Sequence, residues 1–492
     1  MAASPGASRR RLVSTYYDSP ERELAQHSLI LRVRKAGGRY VQTVKSAGAN
    51  GASMLGRGEW EDEVAGDRPD PDAAQSGRLL PSEITGRLLP VFRTKVMRLA
   101  VPLAPAPETR IEAAIDRGNI RAAERDRSEP ISEIELELLD GPPSALYDVA
   151  LRLLEVAPFR IEPRSKAERG YRLADGGRRP RASHFGGVEV RPEATGEDVL
   201  RSVGHACVTQ ILGSEAAALA ARPDGIHQMR VALRRLRAIL SAFGKLIPKA
   251  RREPLDAELR WLTNALAAAR NLDVFAGEMI QAAKQAKLER RGKATERRRR
   301  EAYAAARRAI RSPRYTALLL RLMRWFDSSG WRGPAGEEVE RLTRPVVELA
   351  PLLLDRRRRK ARKRSRGFAA QSPEQRHRLR IALKKLRYTA ELFTGLYDAG
   401  AARQFTQWLK RLQDRLGAAN DLQTGRKLVT ELAPSRRRTP AMAHVGHRVL
   451  AWHAHRLAAA EPKLRDQLRQ LYQAPRFWHP PPDGEATSEP AP

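Results

Sequence analysis

Two stretches, "IHQMRVALRRLRAILSAF" at 226–243 and "RHRLRIALKKLRYTAELF" at 376–393, spell one helix twice. His227 recurs as His377 and Arg230 as Arg380, each 150 residues on (377 − 227 = 150). At about 100° per residue, His227, Arg230, Arg234 and Arg237 form one stripe, with Met229, Leu233, Leu236 and Leu240 opposite. The second copy sets His377, Arg380, Lys384 and Arg387 against Leu379, Leu383 and Leu386. Both helices are amphipathic with a cationic polar face. A like-charged row weakens its own helix slightly. Its occurrence twice, in register and with no acid inside the stripe, argues for an anion site rather than a solvated face.

Outward from these helices, "LAAARNLD" (266–273) recurs as "LGAANDLQ" (416–423) at the same offset, with polar junctions at Asn271 and Asp273 and at Asn420 and Asp421. Such units are far longer than solenoid repeats, whose periods run about 20–50 residues. The expectation for 198–473 is an all-α, internally duplicated helical bundle with its two basic helices related by a pseudo-twofold. If they face one another, the eight cationic groups line one groove. The runs "RRGKATERRRR" and "DRRRRKARKRSRG" read as solvated charge. His444, His447 and His455 share a helix face with no carboxylate or thiolate nearby, and read as an exposed or anion-facing cluster.

Before residue 174 the grammar is different. "LILRVRK", "RYVQTVK", "GEWEDEV", "RIEAAID" and "SEIELELL" alternate with period two, separated by turn formers. Helical stretches are expected near "SEITGRLLPVF" and "PSALYDVALRLLEVA". Glu133, Glu135 and Glu137 share one strand face opposite Ile134, Leu136 and Leu138. Arg32 shares a face with Arg34, and Arg57 shares one with Glu59, Glu61 and Glu63. Acids and bases on several strands suggest an α+β domain whose antiparallel sheet closes into a β-barrel with charged walls. Carboxylates in such a cavity hold Mg²⁺, while Arg and Lys hold phosphate oxygens.

The chain's 492 residues carry 91 Lys plus Arg against 57 Asp plus Glu, a net charge of +34. That excess points to a polyanion: nucleic acid, an anionic membrane surface or polyphosphate. Cys207 is the only cysteine, which excludes an intrachain disulfide and a thiolate metal cluster. No apolar run is long enough to span a membrane, and no signal-peptide pattern opens the chain, so a cytoplasmic protein is expected. The basic stripes hold no stacking aromatics apart from the flanking Tyr388, which weighs against single-stranded nucleic acid. Walker A, GxGxxG, RNP and zinc-finger patterns are missing.

Four segments, "TYYDSPERELAQHSLILRVRK", "YVQTVKSAG", "ISEIELELLDG" and "PRSKAERGYRLA", together resemble a CYTH domain of the triphosphate tunnel metalloenzyme superfamily. "HQMRVALRRLR", "LAAARNLD", "HRLRIALKKLRY" and "LGAANDLQ" resemble a CHAD domain. The pairing is similar to bacterial inorganic triphosphatases with a CHAD extension. It divides the chain into a tunnel domain (1–173), a linker (174–197), a duplicated helical domain (198–473) and a disordered tail (474–492). The resemblance implies an eight-stranded tunnel in which Arg32, Arg34, Lys45, Arg98 and Lys166 grip phosphates. Glu133, Glu135 and Glu137 would be metal ligands for Mg²⁺ (or Mn²⁺), with Glu59, Glu61 and Asp116 as further tunnel acids. The substrate it implies is inorganic triphosphate or a related triphosphate. It also implies polyphosphate binding on His227, Arg230, Arg234, Arg237, His377, Arg380, Lys384 and Arg387, in the cytoplasm or at polyphosphate granules. CYTH domains open with an ExExK strand, and none precedes "TYYD" here. The expectation is either a start upstream of Met1 or an open, catalytically impaired tunnel. Three readings stay open: a triphosphate hydrolase, a non-catalytic polyphosphate-binding protein with a vestigial tunnel, and a nucleic-acid binder.

Overall fold

Alternation in the first part of the chain builds a single antiparallel sheet. In the computed structural model, which describes residues 6–46, 58–177, 179–285, 293–332, 340–432, 451, 455, 461–473 and 475–479, the strands are β1 (Ser8–Asp18), β2 (Leu29–Ala36), β3 (Arg39–Ser46), β4 (Glu59–Val64), β5 (Leu89–Ala106), β6 (Thr109–Ala122) and β7 (Ser128–Asp140). Gly37 and Gly38, with φ of 57° and 94°, make the tight β2–β3 turn, where both central positions need the left-handed region. Two compact units result, Met1–Pro180 and Arg181–Pro492.

The sheet order is β4-β3-β2-β1-β5-β6-β7. This corrects the expected eight-stranded barrel. Closure requires the two edge strands to pair, and among the described residues β4 pairs with β3 and β7 with β6, but not with each other. The charged faces that suggested a closed wall have a local explanation: basic residues find their carboxylates on neighbouring strands of the same open sheet. A second correction concerns "SEITGRLLPVF". Only Ser82–Thr85 is helical, and the chain is in β5 from Leu89. Pro90 sits near the start of that strand, where a missing N–H is tolerated.

One face of the sheet is apolar. Leu31, Val33, Val44 and Val64 pack with Leu24 of α1 (Glu23–Gln26) and Ile84 of α2 (Ser82–Thr85). Ile111 packs with Leu146 and Val149 of α3 (Ser144–Val156). The other face is charged, and α4 (Lys166–Ala174) lies over part of it. A side chain at Gly170 would meet the Phe92 ring at 2.1 Å, so glycine lets α4 settle directly on β5. Tyr16 stacks on Phe92 at 4.3 Å, and Tyr171 meets it edge-on at 5.4 Å.

The second unit is helical, and its elements repeat. α5 (Gly196–Leu219), α6 (Pro223–Ala242) and α7 (Lys249–Ala265) precede α8 (Ala267–Gln285), α9 (Lys293–Ile310) and α10 (Pro313–Asp327). α11 (Val346–Ser365), α12 (Pro373–Leu392) and α13 (Ala399–Leu432) then begin 150 residues after α5, α6 and α7. Thr195 and Ser372 open their helices with capping boxes, closed by Asp198 and Gln375. Pro223 and Pro373 occupy the first turns of the paired basic helices, where proline is favoured. α6 and α12 meet through reciprocal contacts. Lys385 donates to Ser241 Oγ at 3.0 Å, and Arg235 reaches Glu391 at 3.5 Å. Because 385 corresponds to 235 and 391 to 241, the contact is its own pseudo-twofold image. Among the described residues, no helix is long and apolar enough to cross a membrane. Arg57, His444, His447, the side chains of Asn420 and Asp421, and the chain beyond 479 lie outside the described residues.

Candidate functional site

Strand register places the acids. Asp116 on β6 stands opposite Arg98 on β5 and Glu133 on β7, and opposed residues share a face. Glu135 lies two residues along that face. The side chain of Asp116 is almost wholly buried. Arg98 grips it with two bonds, Nε to Oδ1 at 2.8 Å and Nη2 to Oδ2 at 2.7 Å, and also bonds Glu135. From α4, Lys166 Nζ reaches Asp116 at 2.7 Å, Glu133 at 2.5 Å and Glu135 at 2.7 Å. One turn on, Arg169 bonds Glu133 at 2.5 Å, Glu129 at 2.8 Å and the Pro130 carbonyl at 2.9 Å.

Burial alone would raise the Asp116 carboxyl, but bonds from Arg98 and Lys166 outweigh it and hold it below the usual carboxylate range. Glu135 is likewise lowered, with burial opposed chiefly by the Lys166 charge. Lys166 is raised, because Glu135 and its bonds to all three acids outweigh its burial. Oxygens of Asp116, Glu133 and Glu135 all lie within 4.8 Å of one another. Three hard oxygen donors on one face fit a divalent ion such as Mg²⁺ or Mn²⁺. Glu137, exposed farther along β7, is outside the group.

Glu59 and Glu61 go elsewhere. Arg32 Nη2 reaches Glu59 at 3.2 Å and Glu61 at 3.3 Å, and Lys45 bonds Glu59 at 2.7 Å. Thr43 donates to Glu61 at 2.9 Å. These two acids are counter-ions on the β2–β4 flank. Arg34 stands on the same sheet face and donates to Ser14 at 3.2 Å. Burial, then the nearby Arg32 charge, brings it down to about 10. Arg169 was missed in the sequence, although its place three residues after Lys166 puts both on one helix face.

In the helical unit, the first stripe turns toward α7 and α8 of its own copy. Arg230 donates to the Thr263 carbonyl at 2.6 Å, and Arg237 reaches Asp256 at 3.1 Å. Burial, then Arg270 and Arg234, pushes His227 down to about 4, and its Nδ1 is buried without a hydrogen-bond partner. Burial, then Arg234 and Arg270, lowers Arg230 to about 10. Among the described residues, Arg230 Nε and Arg234 Nε are also buried without a hydrogen-bond partner. Arg270, within the repeated "LAAARNLD", joins this cluster, and the repeat was the signal that could have found it. In the second copy, Arg387 donates to Gln413 at 3.0 Å and pairs with Glu391 at 2.5 Å. Arg380 and Lys384 are half-buried, and His377 is exposed. The two basic helices meet through Arg235 and Lys385, on the flank of each stripe.

A family model described as CYTH domain matches residues 6–171, and one described as CHAD domain matches 202–430. An inorganic triphosphatase from Haemophilus influenzae (strain Rd) is 34% identical over 168 residues, covering 33% of this chain and 46% of that protein. The chain thus matches somewhat under half the length of that curated relative. Among solved structures, the CHAD domain from the plant Ricinus communis is 25% identical with a TM-score of 0.50, covering 60% of this chain and 98% of its own. PptA from Streptomyces chartreusis is a looser likeness, 20% identical with a TM-score of 0.41, over 57% of this chain and all of its own.

Proposed function

We propose, for a chain that is a CYTH domain followed by a CHAD domain, that the first unit is a metal-dependent hydrolase of inorganic triphosphate or a related triphosphate and that the second binds polyphosphate. The observation that carries the first part is the meeting of Asp116, Glu133 and Glu135 with Arg98 and Lys166 on one sheet face. Asp116, Glu133 and Glu135 would hold Mg²⁺ (or Mn²⁺). A bound divalent ion supplies charge neutralisation on phosphate oxygens and orientation of the attacking water. Arg98 and Lys166 hold the carboxylates in place and offer further N–H donors to a phosphate. Arg32, Arg34 and Lys45, along the same face, bind the remaining phosphoryl groups.

A non-catalytic reading is favoured by one observation: each of the three acids already has a cationic partner, on a sheet that is not closed. The deciding experiment is Mg²⁺-dependent release of phosphate from tripolyphosphate by the wild type, Glu135→Gln and Glu137→Gln. Loss of a carboxylate ligand should cost at least about 100-fold in rate, while Glu137→Gln stays near wild type. Full rate in Glu135→Gln overturns the metal assignment. An inactive wild type that still binds tripolyphosphate establishes the non-catalytic reading.

A further inference from the structure

Period-two alternation gives the sheet two faces, and the one turned away from the acids is only partly covered. Near one end, Leu103, Ile111 and Leu138 stand in one row across β5, β6 and β7, and Leu146 and Val149 of α3 pack on them. Two rows on, Leu99, Ile115 and Ile134 stand side by side, with Met97 in the row beyond. Met97 and Leu99 are 37% exposed and Ile134 43%. Leu99 lies four residues along β5 from Leu103, about 13 Å. That leaves room for a second helix beside α3, since packed helices lie about 8–10 Å apart.

Charge on this face has one sign. Arg9 stands opposite Leu99 and Arg11 opposite Met97, while Arg117 flanks Met97 on its other side and Lys95 lies one row farther. All four are exposed. The positions of β5, β6 and β7 that share this face, alternate residues of 93–103, 111–121 and 128–138, include no Asp or Glu. On the opposite face Arg98, Arg32 and Lys45 each meet a carboxylate on a neighbouring strand. Here the alternation supplies none. The surface is an apolar strip with a cationic border, and its complement is an apolar strip bordered by acids.

We propose that this uncovered face docks an amphipathic helix of a partner protein, with its apolar stripe on Leu99, Ile115 and Ile134 and its acidic flanks against Arg9, Arg11, Lys95 and Arg117. Such a helix extends the layer that α3 begins and uses the common mode in which an apolar helix stripe fills an apolar surface. A second copy of this chain fits poorly, because an isologous contact sets the cationic border against itself. A bilayer also fits poorly: the apolar side chains are half-buried between longer arginines, so a narrow helix reaches them where a flat surface meets the charges first. The proposal rests on neither phosphate reading.

The test is fluorescence anisotropy of a labelled helical peptide with a leucine stripe and glutamate flanks, titrated with the full chain. Matched peptides replace the leucines by serine or the glutamates by lysine. Wild type should bind the leucine–glutamate peptide at least about tenfold more tightly than either matched peptide. Leu99→Ser with Ile134→Ser should lose about tenfold or more. Arg11→Glu with Arg117→Glu should lose at least as much and flatten the dependence on salt. The serine pair changes no charge, so its loss cannot come from acidic peptide held on the basic helices, which every variant would retain equally. Equal binding by wild type and the serine pair, or equal binding of the leucine and serine peptides, overturns the proposal. So does an Ile134-dependent response to phosphatidylglycerol–phosphatidylcholine vesicles without peptide binding, which assigns the face to lipid. A dimer in sedimentation that the serine pair dissociates overturns it in favour of a second copy. Both serine positions are partly exposed, so the urea midpoint should stay near wild type. If that variant does not fold, the arginine pair and the three peptides on wild type carry the comparison.

Discussion

The sheet and the helices are both rich in arginine and lysine, but they differ in how fully their clustered cations are matched by carboxylates. On the sheet, Arg98, Lys166, Arg169, Arg32 and Lys45 each bond a carboxylate on a nearby strand. In the helices Arg237 and Arg387 have carboxylates too, but among the described residues His227, Arg230, Arg234 and Arg357 bury nitrogens with no hydrogen-bond partner. A balanced cluster can exchange partners, taking a cation and an anion together, as a metal-bound triphosphate requires. An unbalanced cluster favours anions outright, and a polyanion satisfies it at many points. The net charge of +34 is an average over these two designs.

The contrast breaks most visibly on the anion-binding side. Charge reversal at both Arg234 and Lys384 should cost about 100-fold or more in polyphosphate affinity at low salt and flatten its dependence on salt, because fewer counterions are released. Each single reversal should cost less. Titration at two salt concentrations, with duplex DNA as competitor, measures both effects. Equal competition by DNA would move the helical unit to the nucleic-acid reading.

Stability should break it on the other side. Asp116→Asn removes the buried acid shared by Arg98 and Lys166 and leaves the two cations only the more exposed Glu133 and Glu135. Removing one partner of such a pair costs about 3 kcal/mol, seen as a lower midpoint in urea. Arg234→Gln, which removes a cation that already lacks an acid, should leave the midpoint unchanged or raise it.

The smallest effect is in pH. His227 has a folded pKa of about 4, below its ordinary 6.5, so its contribution to stability is complete above 6.5 and is lost as pH falls toward 4. Asp116 is held below its ordinary 3.8, so its contribution is present above 3.8 and is lost only as pH falls through that lower folded value. His227→Gln should flatten the unfolding profile between pH 6.5 and 4 and leave the more acidic limb intact. Polyphosphate raises the pKa of a nearby imidazole, so wild-type affinity should rise over the same interval as pH falls, and proton uptake on binding measures it.

Much of the candidate site was legible in sequence. Period-two alternation put Glu133 and Glu135 on one face, and register then set them beside Asp116. The same alternation could not separate Glu137, which shares their face but lies too far along β7. Nor could it separate Glu59 and Glu61, which pair with Arg32 and Lys45, from the Asp116 group, because the partner of a charge depends on which strand lies alongside. β1 escaped notice since three consecutive arginines mask its alternation, and "LLPVF" passed for helix because a short apolar run fits either period.

Periodicity along the chain specified the faces of the strands and helices, and the 150-residue offset specified the duplication, since both follow from local backbone geometry that repeats with sequence. Openness of the sheet, the descent of α4 onto Phe92 that brings Lys166 among three carboxylates, and the burial of Arg357 where the first copy has Cys207 were decided by packing. These depend on contacts between residues far apart in the chain, where a charge meets a partner or fails to. Spacing along one strand or helix carries no record of what approaches it from the side.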